Sequence, residues 1–195
     1  FLENDGSGNF RDRTEASGLA TKRFRRTYSS SFVDLDDDGD LDLVVVSDFA
    51  GVDFYLNGGR GHFTDATQTV LEEGHAFGMA HTFGDNELDG RLDVFVIGMN
   101  SFTAGRLDLL RLGLPGFEAL ERLRPKMAYG NRLLLARNGR FAQTALSDQV
   151  CRTGWSWGAA TGDFDNDGAE DIYVVNGHIS GESAEDYGGR FWRHD

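Results

Sequence analysis

One cysteine and two prolines in 195 residues are the first scarcities of this chain. A single thiol, Cys151, builds neither an internal disulfide framework nor a cysteine-based zinc site, so the redox compartment is not legible from it. Basic charge is also short: 19 Lys and Arg stand against 32 Asp and Glu, a formal charge of −13. That balance repels phosphate backbones and argues against nucleic-acid binding. No run approaches the roughly 18 apolar residues a membrane helix needs, so no spanning segment is expected. The chain opens on Phe1, with neither Met nor signal peptide, and is expected to be part of a longer protein. What remains, 39% hydrophobic and 12% aromatic, suffices for a packed core. Glycine, at 26 residues, is roughly twice its ordinary ~7% usage. Many tight turns with few prolines point to short strands.

Two phrases repeat and keep step. Asn4-Asp5-Gly6-Ser7-Gly8-Asn9-Phe10 returns as Asn57-Gly58-Gly59-Arg60-Gly61-His62-Phe63 and, shortened, as Asn138-Gly139-Arg140-Phe141. An acidic phrase follows each, beginning at Asp34, Asp85 and Asp163. The leading Asp residues lie 51 and then 78 residues apart, a unit of about 51 with about 27 inserted in one copy. Within a unit, Leu92–Ile97 is a short apolar run of β-formers, and Asn138-Gly139 between Arg132–Leu135 and Arg140–Thr144 is a hairpin signal. Four short strands per unit is the size of a β-propeller blade. The fold class is therefore all-β, a partial β-propeller of four-stranded blades; an open β-sandwich is the poorer alternative. Residues 1–19 are expected to close one blade, 26–67 and 74–145 to form two more, and 152–195 to open another. A propeller needs at least four blades to close, so further blades of a longer chain, or neighbouring subunits, are expected to cover the open faces.

The insertion, 100–129, reads as two short amphipathic helices. Leu107, Leu110 and Leu114, then Phe117, Leu120, Leu123 and Met127, recur at near-helical spacing on either side of Pro115-Gly116. Between Gly98 and Arg132 six basic residues face three acidic ones, a local charge of +3 in an acidic chain. The plain expectation is a packed excursion whose charges face solvent; the sharper one is a contact surface for a partner protein.

The acidic phrases have the form Asp-x-Asp-x-Asp-Gly-x-x-Asp, which gathers oxygens around a tight turn that Gly permits. The first offers Asp34, Asp36, Asp38 and Asp42, with Asp40 at position 7 supplying its backbone carbonyl. The third offers Asp163, Asp165, Asp167 and Asp171, with Ala169 at position 7. The second has Asp85, Glu87, Asp89 and Asp93; its longer Glu at position 3 and Arg91 at position 7 predict a weaker site. Hard oxygen donors suit Ca²⁺, up to three ions, and nothing here offers the soft or nitrogen donors of zinc and copper sites. An EF-hand is excluded because position 12 holds Val45, Val96 and Val174 rather than Glu, and the flanks are strand-like.

These residues resemble the FG-GAP or VCBS repeats of integrin α-chain-like propellers. Phe77-Gly78-Met79-Ala80 before Gly84-Asp85, and Trp157-Gly158-Ala159-Ala160 before Gly162-Asp163, look like the repeat core. Thr153-Gly154-Trp155-Ser156-Trp157-Gly158 with Asp171-Ile172-Tyr173-Val174-Val175-Asn176-Gly177-His178 is similar to bacterial proteins of the cartilage-acidic-protein/UnbV group. The resemblance implies an exported seven-bladed propeller carrying Ca²⁺ in the loops between first and second strands, serving adhesion, ligand binding or envelope assembly.

Protein or glycan binding outside the cytoplasm, where Ca²⁺ is millimolar, is thus the expected function, and no catalytic residue is assigned. Two alternatives stay open. One is a polysaccharide lyase using His75 and His81, six apart in an expected strand and so on one face, with His178 beyond the third loop. The other is a purely structural subunit of a large complex. Trp155 and Trp157, expected on one strand face, suit sugar stacking or inter-blade packing.

Overall fold

The computed structural model describes residues 1–176. Gly177, His178 and the rest of the unit expected to end at Asp195 lie outside the described residues. Four antiparallel sheets follow one another along the chain. The first is the hairpin β1 (Leu2–Asn4) and β2 (Phe10–Asp12). The second runs in simple order through β3 (Arg26–Val33), β4 (Asp42–Asp48), β5 (Gly51–Asn57) and β6 (Phe63–Asp65). The third repeats that order with β7 (Gly78–Gly84), β8 (Asp93–Gly98), β9 (Arg132–Arg137) and β10 (Arg140–Gln143). The last pairs β11 (Ser156–Gly162) with β12 (Asp171–Asn176). These are propeller blades, two of them four-stranded and entire. A one-turn helix, α1 (Thr67–Val70), leads out of the first full blade, and α4 (Ala145–Val150) leads out of the second.

Alternation along the central strands explains why the blades stack. β4 at Leu43–Val46 and β8 at Val94–Ile97 are apolar runs, and successive side chains point to opposite faces. Val44 and Val46 meet Val94, Val96, Leu134 and Phe141 in a core between the two full blades. The stacked rings of Phe54 and Phe141 lie in it, 4.6 Å apart and inclined by 12°. Phe95, Ile97, Leu133 and Leu135, from the other face of the same blade, meet Ala159, Ile172 and Val174 of the last sheet. Each buried Val, Leu or Phe contributes about 1.5–3 kcal/mol relative to exposure. β8 is buried on both faces because a sheet lies on each side of it, whereas the other face of β4 packs with Tyr55 and Phe63 against Leu19 of the N-terminal segment. On the far face of the last sheet, Tyr173, Val175 and Trp157 are exposed.

Turn chemistry sets the register. Asn138 and Gly139 both take positive φ, 53° and 71°, the mirror-image turn that joins β9 to β10 and opposes Arg137 to Arg140. The N-terminal segment is pinned by charge: Asp53 on β5, 2% exposed, receives Lys22 Nζ at 2.7 Å and Arg25 Nη1 at 2.5 Å.

The insertion forms α2 (Phe102–Leu109) and α3 (Glu118–Met127). Ser101 caps α2 by accepting from the Ala104 amide, and Asp108 joins the helices by accepting from Arg124 Nε at 2.6 Å. The expected helices and the break at Pro115-Gly116 are present; the expected packing is not. Met127 is buried and Leu107 and Leu123 half-buried, but Leu110, Leu114, Phe117 and Leu120 are exposed. α2 ends at Leu109, before two of the spaced leucines, and two short helices cannot enclose an apolar stripe without a third surface. Because β8 and β9 leave the sheet at the end opposite the β7–β8 turn, this hairpin stands at the end of the blade away from the acidic loops. Among the described residues no helix is long and apolar enough to cross a membrane.

Candidate metal centre

Each acidic phrase is the turn from the first to the second strand of its blade, and all three share one backbone. Position 4 is left-handed in every copy, at Asp37 (φ 61°), Leu88 (φ 54°) and Asn166 (φ 62°). Position 6 is glycine with φ of 89°, 83° and 90° at Gly39, Gly90 and Gly168. Position 1 fastens the turn. The amide of that glycine donates to Asp34 Oδ2 at 3.0 Å, to Asp85 Oδ2 at 2.8 Å and to Asp163 Oδ2 at 3.0 Å. Position 5 accepts from the amide of position 7: Asp38 from Asp40, Asp89 from Arg91, and Asp167 from Ala169.

Position 9 does more than end the phrase. Asp42, wholly buried, accepts from the Leu35 amide at 2.9 Å and from the Asn57 amide on β5 at 2.7 Å. Asp93, 2% exposed, does the same with Asn86 at 3.0 Å and Ala136 on β9 at 2.8 Å. Asp171 accepts from Phe164 at 3.2 Å. Strand spacing alone gives no sign of this tether, because its partners on β5 and β9 lie 15 and 43 residues away.

Carboxylates converge in two of the three loops. Asp34, Asp36 and Asp42 each bring an oxygen within 4.8 Å of the others, and so do Asp163, Asp165 and Asp171. In the first cluster Asp34 Oδ1 is buried and meets no donor among the described residues. An anionic oxygen shut away from water without a partner is costly, and a cation is the simplest partner for it. Asp36 feels the same crowding: burial, then Asp42, Asp38 and Asp34, push its pKa above the usual carboxylate range. The donor set is all oxygen, in a turn that exposes backbone carbonyls as well, and it fits a hard divalent ion. Among the described residues the Asp85 loop gathers no such cluster.

A family profile for the FG-GAP-like repeat matches residues 34–96 and 105–174, more than half of the chain. The chain belongs to the FG-GAP-like repeat family. The two matched stretches of FG-GAP-like repeat take in all three acidic turns, while β3, which leads into the first of them, precedes the match. No curated protein matches the chain.

His75 and His81, the pair named in the lyase alternative, do not share a strand. His75 lies before β7, which starts at Gly78, so the same-face argument from strand spacing fails. Its ring meets Glu73 at 2.9 Å, and its carbonyl accepts from the buried guanidinium of Arg132. His81 sits within β7, edge-on to Phe83, both ring nitrogens buried and without a partner among the described residues. Burial alone pushes its pKa down to about 4. Trp155 precedes β11 and is half-buried, whereas Trp157 is exposed, with the register shifting between Ser156 and Gly158.

Proposed function

We propose that this FG-GAP-like repeat chain is a Ca²⁺-stabilised propeller module of the extracytoplasmic space that binds a protein partner rather than performing catalysis. The observation that carries the cation reading is the buried, unpartnered Asp34 Oδ1 beside Asp36 and Asp42. Asp34, Asp36, Asp38, Asp42 and the Asp40 carbonyl would hold one ion. Asp163, Asp165, Asp167, Asp171 and the Ala169 carbonyl would hold another. The ion supplies positive charge where carboxylates repel, and so stiffens the turn between two blade strands. Sites of this modest charge suit the millimolar Ca²⁺ outside cells, in keeping with the similarity to exported propellers of the cartilage-acidic-protein/UnbV group.

The α2–α3 hairpin supports the binding role. Leu109, Leu110, Leu114 and Phe117 are exposed beside Arg111 and Arg122, at the end of the blade away from the acidic turns. Exposed apolar side chains interspersed with basic ones suit a protein surface that is apolar at its centre and carries acidic residues. The engagement of His75 with Glu73, and the enclosed ring of His81, support structural roles for both histidines.

Thermal unfolding with Ca²⁺, with Mg²⁺ and with chelator tests the cation reading. Ca²⁺ at 100-fold above its dissociation constant stabilises the fold by about 2.7 kcal/mol per site. An unfolding midpoint identical in Ca²⁺ and chelator would sink it.

A further inference from the structure

The three acidic turns share a backbone but not an electrostatic solution. We propose that the middle turn carries its counter-charge in the chain itself: the Arg137 guanidinium holds the position-3 carboxylate of Glu87, and the protein takes two cations rather than three. This rests on the reading of the outer turns as cation sites.

Arg137 Nε donates to Glu87 Oε2 at 3.0 Å, and its Nη2 donates to Glu87 Oε1, a two-pronged pairing that fixes the carboxylate's plane. Arg137 follows Ala136, the residue whose amide reaches Asp93. In the first full blade the corresponding amide is that of Asn57, and the residue after it is Gly58, which has no side chain to offer. Asp36, at position 3 there, therefore faces other carboxylates where Glu87 faces a guanidinium. The longer Glu is what reaches Arg137.

The backbone bonds of the middle turn recur in the outer turns, where Asp163 accepts from the amides of Asp167 and Gly168 and Asp42 accepts on both oxygens, so it is the arginines that set the middle turn apart. Asp85 accepts from the amides of Asp89 at 2.9 Å and Gly90 at 2.8 Å. Asp93 accepts on both oxygens, and Asp89 takes the Arg91 amide, with the Arg91 guanidinium 3.9 Å from its other oxygen. Glu170, from the third turn, accepts from the Asp85 amide at 2.9 Å and ties the middle turn to the next blade. The first turn has neither arginine: its Asp34, Asp36 and Asp42 converge, with no basic residue among residues 34–42. A guanidinium in place of an ion makes the middle turn hold its shape whatever the Ca²⁺ concentration, while its neighbours respond.

Native mass spectrometry and hydrogen exchange of the chain, with Ca²⁺ and with chelator, decide the matter. Two bound ions are expected. Amides of 34–42 and 163–171 should slow by at least about tenfold on adding Ca²⁺, and those of 85–93 should not change. Arg137→Met keeps the stem and removes the charge; in chelator it should speed exchange at 85–93 by about two- to fivefold, the effect of losing one solvent-exposed two-pronged ion pair. A third ion in the unaltered chain, Ca²⁺-dependent exchange at 85–93, or an Arg137→Met chain whose 85–93 exchange is unchanged would each overturn the proposal. No ion at any turn would instead overturn the reading of the outer turns, and the Arg137→Met exchange would still report on the guanidinium.

Discussion

His81 makes stability depend on pH in a window that catalysis would not choose. Its ring is enclosed on β7 against Phe83 with no hydrogen-bond partner for either nitrogen among the described residues, so burial holds its pKa at about 4. In the unfolded chain the same imidazole titrates near its ordinary value of 6.5. As pH falls below that value the unfolded state takes up a proton that the folded state refuses until about pH 4. Stability contributed by the neutral ring is therefore full above about pH 6.5, declines between the two values and levels off below the lower one. At about 1.4 kcal/mol per pH unit the shift corresponds to about 3 kcal/mol, and residual exposure of the side chain lowers this to about 2–3 kcal/mol. Urea unfolding of the chain and of His81→Leu, across pH 7.5 to 4 in chelator, isolates the effect. The difference between the two proteins cancels the carboxylates, and the chelator keeps cation release out of the comparison. That difference should shift by about 2–3 kcal/mol over the range. If it stays flat, or if the His81 ring protons in the unaltered chain titrate near 6.5, the burial argument is wrong.

Position 9 should be separable from the cation. Asp42→Ala strips two backbone amides of a buried anionic acceptor and should cost about 3–5 kcal/mol in urea unfolding even in chelator. Asp36→Asn, by contrast, should leave chelated stability unchanged or slightly higher, because it removes a carboxylate that its neighbours repel, while reducing the Ca²⁺-induced rise in unfolding midpoint to that of one site. Asp53→Ala removes the buried partner that Lys22 and Arg25 share, leaves Lys22 with Asp65 alone, and should lose about 1.5–3 kcal/mol by the same assay. Phe54→Ala should cost about 3–5 kcal/mol, and a double-mutant cycle with Phe141→Ala should recover a coupling of about 0.5–1.5 kcal/mol from the stacked rings between blades.

What the sequence discloses here is what a few neighbouring residues decide among themselves. The glycine at position 6 of each acidic turn and the Asn138-Gly139 hairpin follow from the chemistry of adjacent residues, so the blade period and the turn positions are legible from the chain alone; the left-handed position 4, which is Leu88 in the middle turn, is not. The inference fails where it extends a local rule past the strand that enforces it. His75 and His81 are separated because β7 begins between them, and Leu110 and Leu114 lie beyond the end of α2.

The role of position 9 is hidden for a different reason: a sequence motif shows that a carboxylate is available, not which atoms claim it first. Asp93 lies 43 residues from the Ala136 amide and Glu87 lies 50 residues from Arg137, with the whole α2–α3 insertion in between. One sign was present in the middle phrase, the Glu at position 3, and its partner stood immediately before Asn138-Gly139. A longer acid in the loop and an arginine at the foot of the third strand are two changes that make sense only together. The repeat keeps one backbone within this chain through glycine and position 9, which leaves positions 3 and 7, and the residue that faces them across the blade, free to differ: carboxylates converge in the first turn, and Glu87 meets Arg137 in the middle one.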